Sequence, residues 1–150
     1  MDCLSCKSKE CKSSAKDCNH SQKELLSSYS ETNNNCTYLN ADQLVSKGRA
    51  GMLSRMQELI EYIKQSHYKK VAIAYCYGIE PLARDVQLIL NENRIISDSY
   101  RCTINGIREN QINDNLSESI SCNPIGQAIA INNSSSEFVI EMGLCLGHDV

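Results

Sequence analysis

The chain offers one abundant reactive side chain: nine of its 150 residues are cysteine, and they fall into two sets. Five lie near the head of the chain, at Cys3, Cys6, Cys11, Cys18 and Cys36. A Cys-x2-Cys pair can present two sulfurs to one metal from a tight turn, and later cysteines can complete a tetrahedral shell. The run Cys3-x2-Cys6-x4-Cys11-x6-Cys18 therefore fits a thiolate-held zinc ion or an iron–sulfur cluster, although its spacing matches neither standard zinc fingers nor the ferredoxin patterns. His20, two residues beyond Cys18, could replace it as a ligand, but a histidine in so polar a stretch is more often solvated. Around these cysteines lie mainly Lys, Ser, Asn and Glu, with few aliphatic side chains before Leu25-Leu26. Such a segment cannot bury enough apolar surface to offset its ordering entropy. It is either held together by a metal or is a disordered Cys-rich tail.

The second set is Cys76, Cys102, Cys122 and Cys145, and it sits in sequence with strong apolar patterning. Val71-Ala72-Ile73-Ala74-Tyr75-Cys76, bounded by Lys69-Lys70 and by Gly78 and Pro81, predicts a buried strand of a parallel sheet. Before it, Met52, Met56, Leu59, Ile60 and Ile63 recur at helical spacing and predict a helix over Ala50–Ser66. After it, Leu82, Val86, Ile89 and Leu90 predict a helix over Leu82–Asn91. Ile95-Ile96 and Ser99–Cys102, interrupted by Asp98, form a second strand, and Glu137–Cys145 a third. Residues 108–121 are a polar excursion, and Asn123-Pro124 opens a helix over Ile125–Asn132. Asn33-Asn34-Asn35 is turn-like and separates the Cys-rich module, 1–36, from the α/β domain, 37–150.

In open α/β sheets ligands bind beyond the carboxyl ends of the strands. Cys76, Cys102 and Cys145 fall at such ends, and Cys122 falls at a helix start on the same rim. Each alone reads better as a small buried hydrophobe, and Cys102 is the weakest placed of the four. As a set they predict a crevice. Cys122 is the expected thiolate and nucleophile, because a helix N-terminus lowers a thiol pKa. Gly78, Gly143 and Gly147 would let backbone approach a ligand. His148 and Asp149 follow Cys145 and could serve as ligands or as acid and base.

Composition sets outer limits. A net charge of −3 gives no reason to expect nucleic-acid binding. No apolar run reaches the length of a membrane span, and the first residues lack the apolar core of a signal peptide, so a cytoplasmic protein without membrane partners is expected. In a reducing compartment clustered cysteines signal metal or redox chemistry more than disulfides, and an odd count argues against full pairing.

Three motifs together, Val71–Gly78, Ser121-Cys122-Asn123-Pro124-Ile125-Gly126-Gln127-Ala128 and Gly143-Leu144-Cys145-Leu146-Gly147-His148-Asp149, resemble the prokaryotic family called domain of unknown function 1847. Cys3-x2-Cys6-x4-Cys11 also resembles the start of that family. The resemblance covers most of the chain and implies a Cys-rich, metal-binding protein of unestablished activity. It implies Cys36, in Asn35-Cys36-Thr37, as the fourth N-terminal ligand, where spacing favours Cys18. It further implies more sheet beyond the Gly-His-Asp motif, so that this chain lacks the family's C-terminal end and exposes an edge that invites a homodimer.

The sequence thus leads to a three-layer α/β domain with a short, mainly parallel sheet and an N-terminal Cys-rich module. The leading function is metal binding, zinc or iron–sulfur, on the N-terminal thiols. A thiol or redox enzyme at the sheet edge is the alternative. A module binding an unidentified small molecule ranks last, because no phosphate-loop or dinucleotide motif is present.

Overall fold

The structure, a computed structural model, describes residues 2–148, with Thr32 and Asn33 by backbone alone. Asp149, one of the expected site residues, lies outside them. The chain divides into two compact units, Met1–Gly51 and Met52–Val150.

In the first unit a short helix α1, Glu10–Ser13, is followed by α2, Gln22–Tyr29, and α3, Thr32–Val45. The Asp17 carboxylate accepts the backbone N–H groups of Asn19, Ser21 and Gln22 at 3.1–3.3 Å and so satisfies the orphan donors where α2 begins. Tyr29 meets Tyr38 edge-on at 6.2 Å, joining α2 to α3. The expected turn at Asn33-Asn34-Asn35 is instead the first turn of α3. Asparagine is poorly suited to a helix interior but tolerated at the start, and the Asn34 amide donates back to Ser28 O at 2.9 Å. The boundary expected at residue 36 falls inside this helix. Among the described residues of this stretch the first buried side chain is Leu44, so the Cys-bearing part has helices but no apolar core.

The second unit is built on one strand. β1, Lys70–Tyr75, is buried from Val71 to Tyr75 and lies between β2, Ile96–Arg101, and β3, Phe138–Met142, parallel to both. Val71, Ile73 and Tyr75 face one side, where Ile63 of α4 (Arg55–Gln65) and Ala83 and Leu90 of α5 (Glu80–Glu92) complete the core. Full burial stabilises by about 1.5–3 kcal/mol for each large aliphatic side chain. Ala72 and Ala74 face the other side. After a small helix α6, Glu109–Ile112, helix α7, Pro124–Asn132, packs on β2 and carries the chain across β1 to β3. The result is the expected three-layer α/β arrangement around a parallel sheet. Strand order reverses at β1, because β2 and β3 flank it on opposite sides.

The helix starts differ from the sequence reading in instructive ways. α4 begins at Arg55, not Ala50, because Ser54 and Gln57 form a reciprocal capping box: Gln57 N donates to Ser54 Oγ at 3.3 Å, and Ser54 N to Gln57 Oε1 at 2.8 Å. Met52 is consequently outside the helix and exposed rather than buried. α5 begins two residues earlier than expected, with Pro81 in its first turn, and its buried stripe is Ala83, Val86 and Leu90, leaving Leu82 exposed. β2 runs unbroken through Asp98, whose carboxylate pairs with Lys70 of β1 at 2.6 Å. The excursion at 108–121 folds back on itself through an Arg108–Ile120 bridge. No helix among the described residues is long and apolar enough to cross a membrane.

Candidate functional site

The carboxyl ends of the three strands bring the second set of cysteines to one rim. Cys76 and Cys102 each follow directly on a strand, β1 and β2. The Cys102 N–H continues the sheet ladder to Tyr75 O at 2.9 Å, and its carbonyl accepts Asn123 N at 2.7 Å. That second bond ties the start of α7 to the end of β2 and delivers Cys122 beside Cys102. Their sulfurs lie 3.8 Å apart, with the Cys122 thiol donating. Cys102 is completely buried, and the Tyr77 N–H also donates to its sulfur, at 3.4 Å. Cys145, three residues past β3, is exposed, and its sulfur sits 3.5 Å from His148 Nδ1. It is also close enough to Cys122 to help raise the pKa of that thiol. His148 Nε2 is buried and has no hydrogen-bond partner among the described residues.

Three of the four sulfurs therefore stand in a row, Cys145–Cys122–Cys102, running from solvent to core. Cys76 is on the same rim and half-buried, its sulfur lying beside Gly78. The row corrects one expectation. Cys122 is not an activated thiolate: its pKa is pushed up to about 12, chiefly by desolvation and then by the hydrogen bonds and charges of Cys102 and Cys145. The helix-start argument fails because Asn123, not Cys122, caps α7. The Asn123 side chain accepts Gly126 N at 2.9 Å, and the space beside Gly126 is filled by that same amide. Cys102, the weakest candidate from sequence, turns out to be the inner end of the row; the strand it follows, Ile96–Arg101, is mostly polar and gave little lead to it.

The glycines divide too. Gly143 has φ +56°, a left-handed conformation, and a Cβ there would come within 2.8 Å of Ile79 Cδ1, so the turn after β3 packs against the turn after β1. A Cβ on Gly78 would make ordinary contact with Cys76 Sγ at 3.7 Å, and one on Gly147 would meet open space. A buried amide holds the rim together. Gln127 of α7 donates to Tyr100 O at 2.8 Å and to Tyr75 O at 3.5 Å, joining the helix to the ends of β2 and β1.

The N-terminal thiols are arranged otherwise. Cys3, Cys11 and Cys18 line one hollow of about 500 Å³, floored by Leu25, Leu26 and Tyr29. Cys6 lies beside it in a turn closed by Cys6 N to Cys3 O at 3.4 Å. The Lys9 backbone N–H, followed by the Ser8 hydroxyl, holds the Cys6 thiol below the ordinary thiol range. Cys18 is shifted the other way, by desolvation and then by the charge of Cys11, with Cys6 contributing as well. Cys36 is exposed on α3 and is not among the residues lining this hollow. His20, also exposed, lies in a left-handed turn at φ 54°. Among the described residues no group of three or more His, Cys, Asp or Glu side chains is placed to hold a metal ion.

Comparison with known proteins gives a family and no activity. The family model described as "Protein of unknown function (DUF1847)" matches residues 9–150. An uncharacterized protein of Methanocaldococcus jannaschii is 32% identical over 161 aligned positions, which cover all of this chain and 79% of that protein. No solved structure matches. The chain belongs to the DUF1847 family.

Proposed function

We propose that this DUF1847 protein binds an iron–sulfur cluster through its N-terminal thiols, with Cys3, Cys6, Cys11 and Cys18 as the ligand set. The observation that carries the reading is the shared hollow: three of these cysteines line one cavity in a unit that has no apolar core beneath them. A stretch of this kind needs an ordering element other than hydrophobic burial.

The choice of a cluster over a single ion turns on how far apart the ligating sulfurs may stand. Tetrahedral zinc with Zn–S bonds of about 2.3 Å would draw its sulfurs to about 3.8 Å from one another, and no three donors in this region are gathered so closely. A cluster whose thiolates ligate different iron atoms takes a wider ring of sulfurs. Backbone and hydroxyl donors aimed at Cys6 stabilise sulfur-centred negative charge, as metal-bound thiolates require. The hollow also supports Cys18 over Cys36 as the fourth ligand.

The test is anaerobic purification followed by iron, zinc and acid-labile sulfide analysis. Iron and sulfide in equal amounts are expected, lost together in Cys6→Ser and Cys11→Ser and kept in Cys36→Ser. Zinc without sulfide would retain metal binding and overturn the cluster. Metal content unaffected by replacing Cys3, Cys6 and Cys11 together would remove the N-terminal site.

A further inference from the structure

The row of sulfurs at the sheet edge is not used by the N-terminal reading and is independent of it. Its three members differ in access in a graded way: Cys145 is exposed, Cys122 partly buried and Cys102 at 0% exposure. The Cys122 and Cys102 sulfurs are 3.8 Å apart, and Cys145, paired with His148, is near enough to Cys122 to act on its proton. An imidazole nitrogen stands 3.5 Å from the outermost sulfur, and a backbone N–H 3.4 Å from the innermost. The row also lies where strand order reverses, beyond the carboxyl ends of the strands, the place at which open parallel sheets bind their ligands. Among the described residues its mouth is open: Leu146 is exposed, and Gly147 has no neighbour within 4 Å of a would-be Cβ.

We propose that these thiols form a relay for thiol–disulfide exchange, in which Cys145 attacks an external low-molecular-mass disulfide and the oxidation is passed inward to a Cys102–Cys122 disulfide. The nucleophile is thus the exposed Cys145, not Cys122. In the first step the Cys145 proton moves to His148 Nδ1. The thiolate attacks one sulfur of R–S–S–R, the Cys145–S–S–R bond forms, and the external S–S bond breaks. R–S⁻ leaves and takes the proton from the imidazole. In the second step Cys122 attacks the Cys145 sulfur, expels the second R–S⁻ and yields its own proton to it, leaving a Cys122–Cys145 disulfide. In the third step Cys102 attacks the Cys122 sulfur, assisted by the Tyr77 N–H that stabilises negative charge on it, and Cys145 leaves as a thiol carrying the Cys102 proton. The sum is two protein thiols and one external disulfide giving one protein disulfide and two R–SH. Two electrons pass from protein to substrate. Closing the last bond brings sulfurs now 3.8 Å apart to about 2.0 Å.

The experiment incubates the full chain with oxidised glutathione, quenches with acid at intervals and maps the thiols by peptide mass. The expected order is a glutathione adduct on Cys145, then linked Cys102 and Cys122 peptides with Cys145 free again. Cys145→Ser should slow formation of that link at least about tenfold, since its thiolate is the point of entry. Cys122→Ser should trap the adduct on Cys145, and Cys102→Ser should stop the reaction at a Cys122–Cys145 bond. Because Cys102 is fully buried, its replacement risks the fold; the exposed Cys145→Ser variant and the adduct order in the unaltered chain decide the matter without it. A first adduct on Cys122 or Cys76, an unchanged rate in Cys145→Ser, or Cys102 still reduced after complete reaction would overturn the relay. All readouts lie in peptides of residues 52–148, so the result stands whatever metal the N-terminal thiols hold.

Discussion

The two cysteine-bearing regions solve the problem of placing sulfur in opposite ways. In the second unit a buried strand and two flanking helices set the rim first, and Cys102, Cys122 and Cys145 occupy positions the core has already determined. In the first unit the described cysteines sit on short helices and turns with nothing buried beneath them until Leu44. There, on the metal-binding proposal, the sulfurs contribute to order rather than inherit it. The same side chain is thus a passenger of the fold in one region and, on the reading given above, a cause of it in the other. Metal content, stability and thiol chemistry should accordingly respond to different perturbations.

The largest contrast is expected from stripping metal. A strong chelator under anaerobic conditions should abolish the helical signal of α2 and α3 and open residues 2–51 to protease, while fragments within 52–148 stay protected. Equal protection of both regions after stripping would break the contrast. The converse perturbation is Leu90→Ala, which removes a fully buried side chain from the second unit. A loss of about 2–5 kcal/mol in that unit's denaturant unfolding is expected, with the iron content of the folded protein unchanged.

The smallest effect is at high pH. The Cys122 pKa is raised by folding from the ordinary 9.0 to about 12. Below the ordinary value both folded and unfolded chains keep this proton, and Cys122 imposes no pH dependence. Above it the unfolded chain releases the proton while the folded chain retains it, so stability falls as pH rises, by at most about 1.4 kcal/mol per pH unit. With reductant present, the alkaline decline in the urea midpoint should be shallower in Cys122→Ala than in the unaltered chain. Matching slopes would show that folding does not hold the thiol protonated.

The parts of this molecule visible in the sequence were those governed by local rules. The apolar run Val71–Tyr75 reads as a strand buried on both faces, and Pro124 marks a helix start because its missing N–H is harmless there. Misreadings arose where a second residue competes for the same local role. Met52 continues a helical period, yet the Ser54–Gln57 box starts the helix after it. Cys122 precedes a helix, yet Asn123 takes the cap and leaves the thiol among sulfurs. Asn33-Asn34-Asn35 has turn composition, but the first turn of a helix accepts asparagine. That Cys102 would meet Cys122, twenty residues away, depended on a backbone bond from Asn123 N to Cys102 O, which spacing alone does not reveal.

Gln127 carries one more consequence. Its amide bridges two strand ends from a helix that begins only three residues earlier, so it acts as a jig: α7 cannot slide along the sheet without breaking a buried bond to Tyr100 O. The gap between Cys102 and Cys122 is therefore toleranced in part by a side chain whose hydrogen bonds go to backbone carbonyls, not to sulfur. Shortening that amide, five residues downstream of Cys122, would remove one of two ties on the gap without altering a thiol, the Asn123 N to Cys102 O bond being the other.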